Sequence, residues 1–127
     1  MGIEAVGFEG KPDTRIYSNI IAQDLSRPMS LGRKSDLSIS LEVGEHIPVE
    51  FEKIFIDNIC ENSNNLVFLS WAVEGQGGHG HVNCRNNDYI IEQMSKRGFS
   101  FIEKSLELRK AADMGWFKNT FMIFQKK

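Results

Sequence analysis

A chain of 127 residues, 41% apolar and 25% charged, has the composition of a single globular domain and is long enough to bury a core. Its formal charge of −2 provides no basic footprint for a nucleic-acid backbone, and no apolar run approaches the ~20 residues that cross a bilayer. The N-terminal Met-Gly-Ile-Glu-Ala carries neither the basic nor the apolar block of a secretory signal, Val6 replaces the Ser or Thr of a myristoylation site, and Cys60 and Cys84 read as free thiols of a cytoplasmic protein.

The pattern predicts a short strand over residues 3–8, followed at Lys11-Pro12-Asp13 by a turn or weak helix start. A second strand falls at 19–22. Pro28 and Gly32 keep the next stretch irregular. Residues 37–43 form the best-patterned strand, with Leu37, Ile39, Leu41 and Val43 alternating with small or polar residues. Pro48 opens a helix to about Glu61, with Phe51, Ile54, Phe55 and Ile59 inward and Glu50, Glu52, Lys53 and Asp57 elsewhere. Asn62 to Asn65 end it, and the apolar run 66–73 reads as a strand buried on both faces. The loop from Gly75 to Gly80 holds four glycines in six residues. A helix capped by Asn86 or Asn87 runs to Arg97 and stops at Gly98. A strand at 99–102, a helix at 105–114 and a strand at 119–125 complete the chain. Strands alternating with helices predict one α/β domain over residues 1–127, built on an open, mostly parallel sheet.

Polar chemistry gathers at the ends of two strands. Glu42, Glu45 and His46 follow the 37–43 strand. Trp71, Gln76, His79, His81 and Asn83 follow the next. Loops at the carboxyl ends of strands are where open α/β sheets bind ligands. His46 is a candidate general base, since an imidazole titrates near neutrality, and Glu45 stands beside it. The glycine loop ends without the G-K-[ST] of a phosphate loop. Trp116-Phe117 reads as cover for the sheet edge.

Asp36-Leu37 followed by Glu42-Val-Gly-Glu45-His46 resembles the fourth-strand motif of class I S-adenosylmethionine-dependent methyltransferases, of type 11/23. Phe8-Glu9 and Asp24-Leu25 stand where that family ends its second and third strands. The resemblance implies a Rossmann-like sheet with an antiparallel last strand, and S-adenosyl-L-methionine as cofactor. It implies Glu9 on the ribose hydroxyls, Asp24 and Leu25 at the adenine, and Glu42 as a further cofactor contact. It implies a small-molecule acceptor met by Trp71, Gln76, His79, His81 and Asn83. Related methyltransferases carry a divalent metal on an E-x-x-E-H set, here Glu42, Glu45 and His46 with His81 or His79; capping and wall-forming roles without metal are the alternative. The family's first strand and its G-x-G-x-G turn have no counterpart before Ile3. A truncated enzyme, a split enzyme completed by a partner chain or N-terminal segment, and a degenerate interaction domain all follow from that. A nucleotide-binding oxidoreductase shares the sheet type but lacks its dinucleotide fingerprint here.

Overall fold

The computed structural model describes residues 2–11 and 18–127. The expected turn at Pro12-Asp13 lies outside them. Two short parallel strands come first, β1 (Gly7–Glu9) and β2 (Ile20–Ala22), paired Gly7 to Ile20 and Glu9 to Ala22. The larger sheet has four strands in the order β3 (Ser35–Ser40), β4 (Ser63–Leu69), β6 (Met122–Lys126), β5 (Phe99–Phe101). β3 and β4 run parallel, with Leu37 opposite Leu66 and Ile39 opposite Phe68. β6 is antiparallel to both β4 and β5. Three strands of this sheet therefore share one direction and only the last is reversed, as the strand-helix alternation predicts. Among the described residues no strand pairs with β3 on the side away from β4.

Four helices connect the strands: α1 (Glu52–Glu61), α2 (Asn87–Lys96), α3 (Lys104–Ala111) and the single turn α4 (Phe117–Thr120). α1 and α2 cover one face of the large sheet. Val67 and Leu69 of β4, Met122 and Phe124 of β6 and Phe99 of β5 meet Phe55, Ile56 and Cys60 of α1 and Ile90 and Met94 of α2. This continuous buried cluster supplies most of the driving force for folding, at about 1.5–3 kcal/mol for each large apolar side chain. Burial raises the Cys60 thiol to about 12, so it stays protonated. No helix of the described residues is long and apolar enough to cross a membrane.

Several expected boundaries shift. Pro48 precedes a 3₁₀ turn at Val49–Phe51, and the α-helix begins only at Glu52. The buried face of that helix is Glu52, Phe55, Ile56 and Cys60, whereas Phe51 is exposed. Glu52 is inside because three donors neutralise it, a condition that a hydropathy pattern cannot see. β4 starts three residues before the expected strand, at Ser63, and its asparagines do not form a turn. Instead Asn58 and Asn62 clamp the 25–31 segment. Asn58 Nδ2 donates to Leu25 O at 3.1 Å and Arg27 O at 2.8 Å, and Asn62 Oδ1 accepts from Leu31 N at 2.9 Å. β4 also stops at Leu69, so Ser70 to Val73 leave the sheet, and only its Val67 and Leu69 side is fully buried. The expected 119–125 strand starts late: residues 119 and 120 close the short helix Phe117–Thr120, and β6 begins at Met122.

Candidate functional site

The loop after β3 is held by its own backbone and by one close approach. Glu42 has φ 54°, a left-handed conformation uncommon outside glycine and asparagine. Its N–H donates to Ser70 Oγ at 2.8 Å, which fixes this turn against the end of β4. A 3₁₀ turn follows at Gly44–His46. A Cβ on Gly44 would sit 2.2 Å from Cε3 of Trp71, so the motif needs glycine here for space. The Glu45 carbonyl then accepts from both Val82 N (2.9 Å) and Asn83 N (3.0 Å). The loops after β3 and β4 are thus joined through one oxygen.

Three side chains converge at this junction. Ligand atoms of Glu45, His46 and His81 all lie within 4.8 Å of one another. Glu45 is fully buried, and neither of its carboxylate oxygens has a hydrogen-bond partner among the described residues. Burial raises its pKa above the usual carboxylate range, and the nearby Glu42 charge adds to the rise. His46 Nδ1 lies 3.0 Å from Gly80 O and His81 Nδ1 lies 3.2 Å from Gln76 O. A carbonyl only accepts, so both rings donate from Nδ1, and Nε2 is the nitrogen left to meet other partners. His81 Nε2 stands 4.0 Å from Glu45 Oε1, and the two imidazoles meet edge-on at 5.1 Å. The glycine loop approaches His81 closely, whereas His46 stays exposed. A Cβ on Gly78 would fall 2.2 Å from His81 Nε2.

This arrangement can hold a divalent ion: one buried carboxylate without a donor and two imidazoles, each oriented through one ring nitrogen, form a mixed oxygen and nitrogen set. It can equally hold a proton at the His46 Nε2. Glu42, expected in the group, adds no ligand atom to it, although its charge is felt at Glu45. Its carboxylate oxygens face Thr120 Oγ1 and Gln76 Nε2, each at 3.4 Å. His79 lies on the exposed part of the loop and adds no ligand atom. Cys84 Sγ sits 3.8 Å from His81 Nδ1, and burial raises its thiol pKa.

Two expected acceptor contacts are displaced from the rim. Trp71 is fully buried, donates from Nε1 to Asn83 O at 2.6 Å and packs edge-on against Phe55 at 5.8 Å. Asn83 is buried too, with Nδ2 donating to Glu52 Oε2 at 2.9 Å. Both serve as supports, because Trp71 fills the space that Gly44 leaves and Asn83 ties the loop to α1. On the other side of the chain, Glu9 is exposed at the end of β1 and accepts from Lys11 N at 3.1 Å. Asp24 is exposed and caps its own turn, accepting from Ser26 N at 2.9 Å and Oγ at 2.6 Å. Those bonds hold its carboxyl below the usual range. Leu25 packs against the core.

One polar centre has no counterpart among the residues expected to matter. Glu52 accepts from Arg85 Nε at 2.6 Å, from Asn83 Nδ2 and from the Tyr89 hydroxyl. Burial pushes its carboxyl up, but these donors outweigh burial and leave the pKa lowered. The network braces the loop that carries His81. The only hint of it in the sequence is Glu52 at helical spacing from Phe55 and Ile56.

No protein-family model and no curated sequence matches the chain. Solved structures do. The chain is similar to magnesium protoporphyrin IX methyltransferase from Synechocystis PCC 6803 with bound SAH, at 20% identity and TM-score 0.59, covering 88% of this chain and 54% of that one. It is similar to an O-methyltransferase family protein from Burkholderia thailandensis at 8% identity and TM-score 0.58, over 85% of this chain and 35% of the other. LepI in complex with SAM gives 12% identity and TM-score 0.55, over 90% and 32%. The chain spans about half the length, or less, of the structures it matches. At these identities the likeness establishes the fold: a Rossmann-like methyltransferase α/β sheet.

Proposed function

We propose that this chain is part of an S-adenosyl-L-methionine-dependent methyltransferase domain of the cytoplasm that transfers a methyl group to a hydroxyl or amine of a small-molecule acceptor. The observation that carries the reading is the Glu45–His46–His81 cluster, set on loops after two neighbouring parallel strands of a methyltransferase-type sheet. His46 Nε2 accepts the acceptor's proton while Nδ1 holds the ring on the Gly80 carbonyl. Gln76 and His81 line the acceptor side. Glu9, with Asp24, Leu25 and Glu42, forms the cofactor side, where the cofactor supplies the methyl group. Alternatively, with His46 Nε2 committed to a divalent ion beside Glu45 and His81 instead of to the proton, the ion would make an acceptor hydroxyl easier to deprotonate.

A second reading is an interaction domain of the same fold that works with a partner chain or an N-terminal segment. The β3 edge favours it: among the described residues no strand pairs there, and Leu37 is 42% and Ile39 61% exposed. Calorimetric titration of the chain with S-adenosylhomocysteine separates the two. Saturable binding that weakens at least tenfold in Glu9→Ala supports the transferase. No binding heat and no thermal stabilisation would overturn it and leave the interaction domain.

A further inference from the structure

α3 packs against α4 and β6, well away in sequence from the strand-end loops. Between the two helices is a cavity of about 450 Å³ lined by Leu106, Arg109, Lys110 and Lys118. Leu106, Arg109 and Lys110 share one face of α3, at the i, i+3 and i+4 spacing of a helix, and Lys118 faces them from α4. Three cations and one apolar side chain therefore line one open depression.

Arg109 is the unusual member. Its Nε donates to Phe121 O at 2.7 Å, which fixes the plane of the guanidinium. Its Nη2 is sealed from solvent and meets no acceptor among the described residues. Burial lowers its pKa, with no anion to counter the effect. Arg85 shows the usual arrangement, in which Glu52 raises the pKa of a half-buried guanidinium. Among the described residues Arg109, Lys110 and Lys118 form no ion pair. The acidic Glu107 on α3 is bound to Lys104 at 2.5 Å. A fixed, partly desolvated guanidinium flanked by two lysines is complementary to a planar or tetrahedral oxyanion.

We propose that this cavity binds a small organic oxyanion carrying at least two negative charges. Arg109 meets the anion through the atoms that line the cavity, Lys110 and Lys118 close on it from the rim, and the half-exposed Leu106 meets its carbon portion. The site shares no residue with the Glu45–His46–His81 cluster, so it stands or falls apart from the transferase reading.

The test is calorimetric titration of the full chain with phenyl phosphate and, separately, with citrate, at constant ionic strength set by chloride. Saturable one-to-one binding of either is expected, and the tighter of the two tells phosphate from carboxylate chemistry. Lys110→Ala/Lys118→Ala changes only exposed residues, leaves folding intact and weakens binding at least tenfold. Arg109→Lys keeps the charge but loses the fork, and weakens binding by a similar factor. Absence of saturable heat with both anions, or unchanged affinity in the double lysine variant, overturns the proposal.

Discussion

Gly44→Ala isolates the contact on which the strand-end motif is built. The added Cβ would stand 2.2 to 2.4 Å from Cε3, Cζ3 and Cδ2 of Trp71. Carbon atoms rest at about 3.5–4.0 Å, so three contacts are short by more than an ångström. Neither partner can yield cheaply. Trp71 is fully buried, held by its Nε1 bond to Asn83 O at 2.6 Å and backed by Phe55. Gly44 is buried within a 3₁₀ turn whose next residue carries the bonds to Val82 and Asn83. Overpacking of this kind costs about 3 kcal/mol or slightly more. For a domain of this size that lowers Tm by roughly 10 °C. Thermal unfolding by circular dichroism measures it directly. The same substitution in a Trp71→Leu background should cost less than half as much, because the ring it strikes is gone. A Tm change below about 2 °C, or an equal loss in both backgrounds, would refute the contact as the reason for glycine.

Three further outcomes are expected. Glu52→Gln leaves Arg85 without its charged partner and costs about 1–3 kcal/mol at pH 7. The folded pKa of Glu52 lies below its unfolded value of about 4.3, so its contribution is full above that pH and disappears as pH falls through the folded value; acid denaturation curves should therefore flatten in the variant, and unchanged curves would contradict the network. Glu45 has the opposite sign. Its folded pKa is raised, so stability declines as pH rises from about 4.3 through the folded value, and Glu45→Gln should melt near wild type at pH 4 and higher at pH 8; a variant less stable at both would remove the buried charge from the argument. Addition of Mn²⁺ or Zn²⁺ at about 100 times Kd should stabilise the chain by about 2.7 kcal/mol, and His81→Ala should abolish that gain; identical melting curves with and without ion would dismiss the metal reading.

The order of strands and helices was legible because apolar residues repeat with the period of the element. Ile90 and Met94 recur at helical spacing and are fully buried, whereas Leu37 and Ile39 alternate as a strand should and yet stay 42% and 61% exposed. The reversal of β6 followed from the family resemblance, and the ladder confirms it. Boundaries were less legible where side chains serve the backbone of another segment. Asn62 to Asn65 read as the end of a helix in sequence, yet Asn62 joins Asn58 in clamping residues 25–31, and Ser63 already belongs to β4, where its hydroxyl meets that of Ser38. The meeting of Glu45 with His46 and His81 could be anticipated, since neighbouring strands deliver their loops to one edge. The inward roles of Trp71 and Asn83 could not, because a tryptophan after a strand reads the same whether it faces a ligand or a glycine. Glu52 was misplaced for a similar reason. A buried carboxylate is betrayed only by its donors, and these come from positions 83, 85 and 89, beyond any local pattern.

The double use of the Glu45 carbonyl gives the molecule a built-in gauge. Val82 and Asn83 belong to a stretch rich in glycine and exposed side chains, whose amides would ordinarily trade their hydrogens with solvent within moments. Both are instead tied to one oxygen on a different loop. Their deuterium uptake would rise together whenever the two loops part, and stay low together while they hold, even as Gly77 and His79 nearby exchange freely. Two neighbouring amides thus report, without any added label, whether the histidines and the buried carboxylate are assembled.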